Sequence, residues 1–165
     1  MRHKIMLIGC GGMARAHAMK FQSLSDRMEV AALVDIDREK AGRLAELLPE
    51  RPPVFTDYRD GLPLCDAVLQ ALPHHLHCPV TVDCLNAGKH VLAEKPLANT
   101  EAECLAMIEA AKRSRKVLMV AYCMRFYPLL REMRRIIREE VYGKCFQLSI
   151  WTEQLTTGDR QAWLH

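Results

Sequence analysis

Ile5-Met6-Leu7-Ile8 runs directly into Gly9-Cys10-Gly11-Gly12-Met13-Ala14, and a helical pattern follows from Met13 to Leu24. A compact apolar run that stops at glycines reads as a buried parallel strand. A G-x-G-x-x-A loop set between a strand and a helix admits few folds, because each small residue meets a separate need. Gly9 allows the tight turn, Gly11 lets the backbone approach a pyrophosphate, and Ala14 keeps the helix close to the sheet. The helix start beside Gly12 and Met13 offers free N–H groups and a partial positive charge to phosphates. The plainer reading is a helix start that needs glycine only for geometry, with Asp35 as a surface acid; the agreement of strand, glycines, helix and acid favours the dinucleotide reading over it.

That acid is Asp35, at the end of the apolar run Val30 to Val34 and 24 residues after Gly11. Dinucleotide-binding units place an acid about 20 residues on, bonded to the adenosine ribose. A carboxylate there accepts from both ribose hydroxyls and repels a 2′-phosphate, which favours NAD over NADP. Ile36, next in the chain, joins the expected cofactor contacts. Arg38 keeps NADP open, because a nearby arginine can pair with that phosphate. Cys10 has two readings: a thiol activated by a helix start, or a small side chain that fits beneath the cofactor. Packing favours the second.

The rest of the chain continues the alternation. Arg38 to Leu48 is an amphipathic helix with Ala41, Leu44, Ala45 and Leu48 on one face, ended by Pro49 and Pro52-Pro53. Val54-Phe55 predicts a short strand and Ala67 to Ala71 a longer one. Pro79 to Ala87 forms a helix that stops at Gly88. Val91 to Ala93 is the next strand, Thr100-Glu101-Ala102-Glu103 opens a helix with a capping box, and Val117 to Ala121 is one more strand. Such alternation predicts an α/β fold, a doubly wound parallel sheet with helices on both faces. It stops near residues 122–128. Pro128 to Val141 then reads as an amphipathic helix ended by Gly143, and Cys145 to Trp151 as a strand of period two.

Composition excludes several classes. The net charge of +3 is too mild to argue for nucleic acid, and the basic residues Arg131, Arg134, Arg135 and Arg138 suit a solvated helix face or an interface better. No run approaches the ~18 apolar residues of a membrane span, and the five apolar residues after Lys4 are too few for a signal sequence. The seven scattered cysteines include no C-x-x-C, which points to reduced thiols in the cytoplasm. His74, His75, His77 and Cys78 are too closely spaced to converge on one ion, so no metal is expected.

Glu94-Lys95-Pro96 follows the strand Val91 to Ala93, where strand ends line the ligand crevice of an open parallel sheet. A lysine there can hydrogen-bond a substrate hydroxyl and stabilise charge developing on oxygen. A surface lysine before a proline turn is the plainer reading of these residues alone. The surrounding segment, Ala87-Gly88-Lys89-His90-Val91-Leu92-Ala93-Glu94-Lys95-Pro96-Leu97-Ala98, resembles the signature of the Gfo/Idh/MocA oxidoreductases, the glucose–fructose oxidoreductase and inositol dehydrogenase group. Ala71-Leu72-Pro73-His74-His75-Leu76-His77 is similar to that family's proline loop, and Arg125-Phe126-Tyr127-Pro128 to its R-F-x-P turn.

The resemblance implies a Rossmann domain over residues 1–122 that binds NAD, with NADP admitted. It implies that residues 123–165 begin an α+β domain for substrate binding and oligomerisation. It further implies hydride transfer at a carbinol carbon of a sugar, cyclitol or related polyol. Lys95 would then be catalytic, touching substrate and nicotinamide ribose, and Glu94 would shape that pocket. Leu72 and Pro73 would pack on the cofactor, His77 would support their loop, and Arg125 would belong to the cofactor-binding set. Leu72 departs from the small polar residue common before that proline. The family's D-x-x-x-H-like segment, which carries its usual catalytic histidine, has no counterpart here, and His165 lacks that context. The expectation is therefore a truncated polypeptide that binds NAD without turning over substrate, with self-pairing through the strand around Phe146 to Ile150. A non-catalytic dinucleotide-binding module or sensor shares the glycine loop and Asp35 but has no need of Lys95.

Overall fold

The computed structural model describes residues 2–151. Six strands form one parallel sheet: β1 (His3–Ile8), β2 (Met28–Val34), β3 (Val54–Phe55), β4 (Ala67–Gln70), β5 (His90–Ala93) and β6 (Leu118–Val120). Their order across the sheet is β3-β2-β1-β4-β5-β6. The helices are α1 (Gly12–Phe21), α2 (Arg38–Glu46), α3 (Tyr58–Gly61), α4 (His77–Asn86), α5 (Glu101–Ser114) and α6 (Pro128–Arg138). This is the doubly wound Rossmann arrangement that the alternation predicts. The short α3 was hidden because four residues carry no helical period; Asp57 starts it by accepting from the Arg59 N–H.

Two apolar layers hold the sheet from opposite faces. Successive side chains of a strand point to opposite sides, and β1 shows it. Met6 and Ile8 pack in one layer with Val80, Cys84 and Leu85 of α4 and Ala110 of α5. Leu7 packs in the other with Ala14 and Ala18 of α1 and Ala41, Leu44 and Ala45 of α2. The small residues on α1 bring that helix close to the sheet, which aims its N-terminus at the crevice.

Helix ends follow local chemistry. Thr100 and Glu103 form a complete capping box on α5, each side chain accepting from the other's backbone N–H. Gly88 (φ +78°) closes α4: its N–H donates to Leu85 and that of Lys89 to Cys84. Arg115 takes the same left-handed conformation after α5, at φ +56°.

Contacts divide the chain into two units, Met1–Tyr122 and Cys123–His165. Among the described residues the sheet and the buried apolar side chains all lie in the first. In the second, α6 ends at Arg138, short of the expected Val141, and Glu140 turns to positive φ before Gly143 is reached. The expected strand Cys145 to Trp151 is not present: among the described residues that stretch pairs with nothing. A period of two sorts side chains to two sides, but a strand also needs a neighbour for its N–H and C=O groups. The remainder of the chain, with His165, lies outside the described residues.

Candidate cofactor site

The strand register sets the site. Ile8 pairs with Val34 and with Gln70, and Gln70 pairs with Ala93. The residues one step further, Gly9, Asp35, Ala71 and Glu94, therefore share the carboxyl rim of the sheet. Strands β1 and β4 are neighbours whose connections lead to opposite sides, so a crevice opens between them. It holds a cleft of about 440 Å³ lined by Gly9, Gly11, Asp35, Ile36, Leu72 and Pro73 among others.

Gly9 and Gly11 serve different ends. Gly9 has φ +84°, and a Cβ there would lie 2.3 Å from the Ala71 carbonyl oxygen. Its glycine is required by the protein's own packing. A Cβ on Gly11 would meet only the Lys40 Nζ, at 3.9 Å, and one on Gly12 would meet nothing within 4 Å. Among the described residues only the Lys40 ammonium approaches that side of the loop, where the N-terminus of α1 presents unpaired N–H groups. A phosphate-bearing ligand fits this space.

Asp35 is 9% exposed. Its Oδ2 accepts from the Cys10 N–H at 2.8 Å, and its Oδ1 from the Asp37 N–H at 3.0 Å. Lys40 Nζ stands 3.5 Å from Oδ2. Burial alone would raise the Asp35 pKa, but the two N–H donors and the ammonium outweigh it and hold the carboxyl below its usual range. Burial and then the Asp35 charge push the Cys10 thiol up to about 12. Cys10 is thus an inert packing residue, as its size suggests. Ile36 is 93% exposed at the mouth of the cleft.

Glu94 is buried at the end of β5. Its Oε1 lies 2.6 Å from His17 Nε2 on α1, and its Oε2 accepts from the Lys95 N–H at 3.2 Å. One carboxylate therefore ties the helix of the glycine loop to the backbone that presents Lys95, whose side chain is exposed. His77 is fully buried, with Nδ1 2.8 Å from the Pro96 carbonyl and Nε2 2.9 Å from the Leu72 carbonyl. Carbonyls only accept, so the neutral ring satisfies one of them and the imidazolium both. Its ring ties the Leu72-Pro73 loop to the segment after Lys95.

The predicted residues fall into groups. Gly9, Gly11, Asp35, Ile36, Leu72 and Pro73 meet in the cleft, while Gly12, Met13 and the buried Ala14 open α1 beside it. Glu94, Lys95 and His77 stand on or behind the same rim. Arg125 belongs to the second unit, exposed, in a hollow with Phe126, Arg131 and Arg134. Arg38 does not line the cleft; Lys40 does, one helical position pair further on. Thr56, Asp57, Tyr58 and Arg59 also line it and were missed. Their signal was present, since they follow strand β3 at the rim. Tyr58 OH donates to Asp83 at 2.6 Å, and Arg59 reaches Asp83 at 3.0 Å, which anchors them to α4.

A family model described as the oxidoreductase family with NAD-binding Rossmann fold matches residues 3–122. The chain belongs to this family. It is 34% identical over 155 residues to inositol 2-dehydrogenase 2 of Saccharopolyspora erythraea, covering 90% of this chain and 44% of that protein. It is 32% identical over 146 residues to levoglucosan dehydrogenase of Pseudarthrobacter phenanthrenivorans, covering 84% and 37%. A solved WlbA dehydrogenase of Chromobacterium violaceum, in complex with NADH and UDP-GlcNAcA, superposes with a TM-score of 0.81 at 28% identity, covering 86% of this chain and 41% of that one. The chain spans less than half the length of these relatives.

Proposed function

We propose that this chain is the nucleotide-holding part of an NAD(P)-dependent dehydrogenase acting on a carbinol of a sugar, cyclitol or related polyol. The observation that carries the reading is the single cleft in which the open side of the glycine loop meets Asp35. A dinucleotide laid along the rim from Asp35 on β2 to Lys95 after β5 crosses three inter-strand spacings, about 14 Å. Its adenosine ribose would sit at Asp35, its adenine against Ile36, and its pyrophosphate over Gly11 and Gly12. Leu72 and Pro73 would pack on it, with His77 holding their loop. The relatives named for inositol and levoglucosan support a polyol or sugar as substrate.

When bound, the nicotinamide supplies the hydride acceptor. The chain supplies orientation and charge. The Lys95 ammonium would donate to the substrate oxygen as that oxygen loses its proton, stabilising the negative charge that develops. Glu94, fixed by His17, would set the backbone from which Lys95 reaches. We propose that these 165 residues bind dinucleotide but do not turn over polyol, because the family's D-x-x-x-H-like segment has no counterpart in them.

The residues from 123 on would begin the substrate and oligomerisation domain, with Arg125 in the turn that leads to it. The exposed Phe146, Leu148 and Ile150 support self-association through that segment, and seven free thiols suit a cytoplasmic setting. Calorimetric titration with NAD tests the central claim. Saturable binding that Asp35→Ala weakens about tenfold or more is expected. A flat titration, or steady NADH formation with a polyol, overturns it.

A further inference from the structure

We propose that Cys78 and Cys104 are a redox pair, which a small-molecule disulfide such as oxidised glutathione converts into a covalent bond between the first turns of α4 and α5. Strands β4 and β5 are parallel neighbours, so the helices that follow them start at the same rim of the sheet and run back together. Side-chain contacts show the two helices in step. Near their starts the Cys78 thiol donates to the Glu103 carbonyl at 3.7 Å, and near their ends Arg113 donates to Asn86 Oδ1 at 3.4 Å. The Glu103 carbonyl belongs to the peptide unit that leads into Cys104, so the Cys78 sulfur already reaches the backbone of its partner. Packed helices lie about 8–10 Å apart, with Cα atoms about 2.3 Å off each axis. Facing residues therefore fall in the window of about 4.4–6.8 Å between Cα atoms that a disulfide spans.

Both thiols are half-buried, within reach of a small oxidant. Cys65 and Cys84 are also neighbours, but both are buried and closed to it. Burial first, then the Glu103 carboxylate and the Cys104 thiolate, push the Cys78 thiol up, which gives Cys78 the second step. Cys104 as thiolate attacks oxidised glutathione, forms a mixed disulfide and displaces one glutathione thiolate. Cys78 then attacks the Cys104 sulfur and displaces the other. The two protein thiols lose two protons and two electrons, and the oxidant takes up both as two glutathione thiols. Cys78 follows His77, whose ring ties the Leu72-Pro73 loop to the Pro96 carbonyl. Cys104 lies in the helix into which the Lys95-Pro96 segment leads. Oxidation thus adds a covalent tie where the rim is held by hydrogen bonds. In a compartment that keeps thiols reduced, such a bond forms under oxidant and is reversed afterwards.

Incubation of the folded 165-residue chain with oxidised glutathione, followed by blocking of the remaining thiols and non-reducing peptide mapping, tests this. A peptide joining Cys78 to Cys104 within one chain is expected. The oxidised chain should melt about 5 °C or more above the reduced one, because the bond restricts the unfolded chain, and dithiothreitol should reverse the rise. Cys104→Ala and Cys78→Ser should each abolish the rise while keeping a cooperative transition when reduced. A folded wild-type chain in which both thiols stay free, or carry glutathione only, overturns the inference. So do bonds confined to other cysteines, or a cross-linked chain that melts no higher than the reduced one.

Discussion

Gly9 and Gly11 sit two residues apart and answer to different masters. At Gly9 a side chain would be strained by the positive φ and driven into the Ala71 carbonyl. Gly9→Ala should therefore cost at least about 2 kcal/mol of folding stability in urea denaturation. Gly11 has ordinary backbone angles and free space on its outer side. Gly11→Ala should leave the urea midpoint within about 0.5 kcal/mol of wild type while weakening NAD binding, because the methyl occupies the pyrophosphate's approach. Asp35 carries a pH signature of its own. Its folded pKa lies below the unfolded value of 3.8, so folding favours the charged form. The stability it contributes is complete above about pH 5 and is lost as pH falls through the unfolded value toward the lower folded one. Urea denaturation of wild type and Asp35→Asn at a series of pH values should show a gap that is largest near neutrality and closes in acid. A gap that widens in acid would contradict the hydrogen-bonding assigned to Asp35.

Elements are punctuated by caps, and one cap is chemically mismatched. Gly88 ends α4 in a left-handed conformation that suits glycine, whereas Arg115 ends α5 in the same conformation with a side chain attached. The Lys116 N–H still donates to Ala111 and that of Arg115 to Lys112, so the motif holds at a strain cost. Arg115→Gly should raise stability by about 0.5–1 kcal/mol, read as a shift in urea midpoint with an unchanged slope. The same position would reward no other substitution except Asn. At the crevice, α1 and the β4–α4 loop are each linked to the Lys95 segment by one buried histidine or carboxylate contact, His17 to Glu94 and His77 to Pro96. These links join residues far apart in sequence, and each converts a loop into a fixed part of the rim.

The whole molecule concentrates its core in the first unit. Among the described residues every buried apolar side chain lies at or before Ala110, and α6 buries none of its side chains. A domain with its own complete core folds by itself. A chain ending at Tyr122 should therefore unfold in a single transition with a midpoint within about 1 kcal/mol of the 165-residue chain, and should bind NAD with similar affinity. Loss of cooperative unfolding in that shorter chain would show that the first unit leans on the rest. No helix among the described residues is long and apolar enough to cross a membrane.

The amino-acid sequence by itself determined the six strands of the sheet, the longer helices of the first unit and their alternation, though not the four-residue α3, because apolar runs, glycines and capping residues act on neighbours within one turn. It also marked the glycine loop, Asp35 and Glu94-Lys95-Pro96, since strand ends face the crevice in any parallel sheet. Tertiary structure alone decided which of these meet and what state they are in. Periodicity carries no information about register, so the shared level of Gly9, Asp35, Ala71 and Glu94 came only from pairing. It carries none about contacts between distant segments, so the His17–Glu94 link, the two carbonyls on His77 and the Lys40 ammonium beside Asp35 were not legible. The stretch from Cys145 to Trp151 shows the converse. Its alternation is a property of the residues, but a strand is a property of two partners, and among the described residues the second is not there.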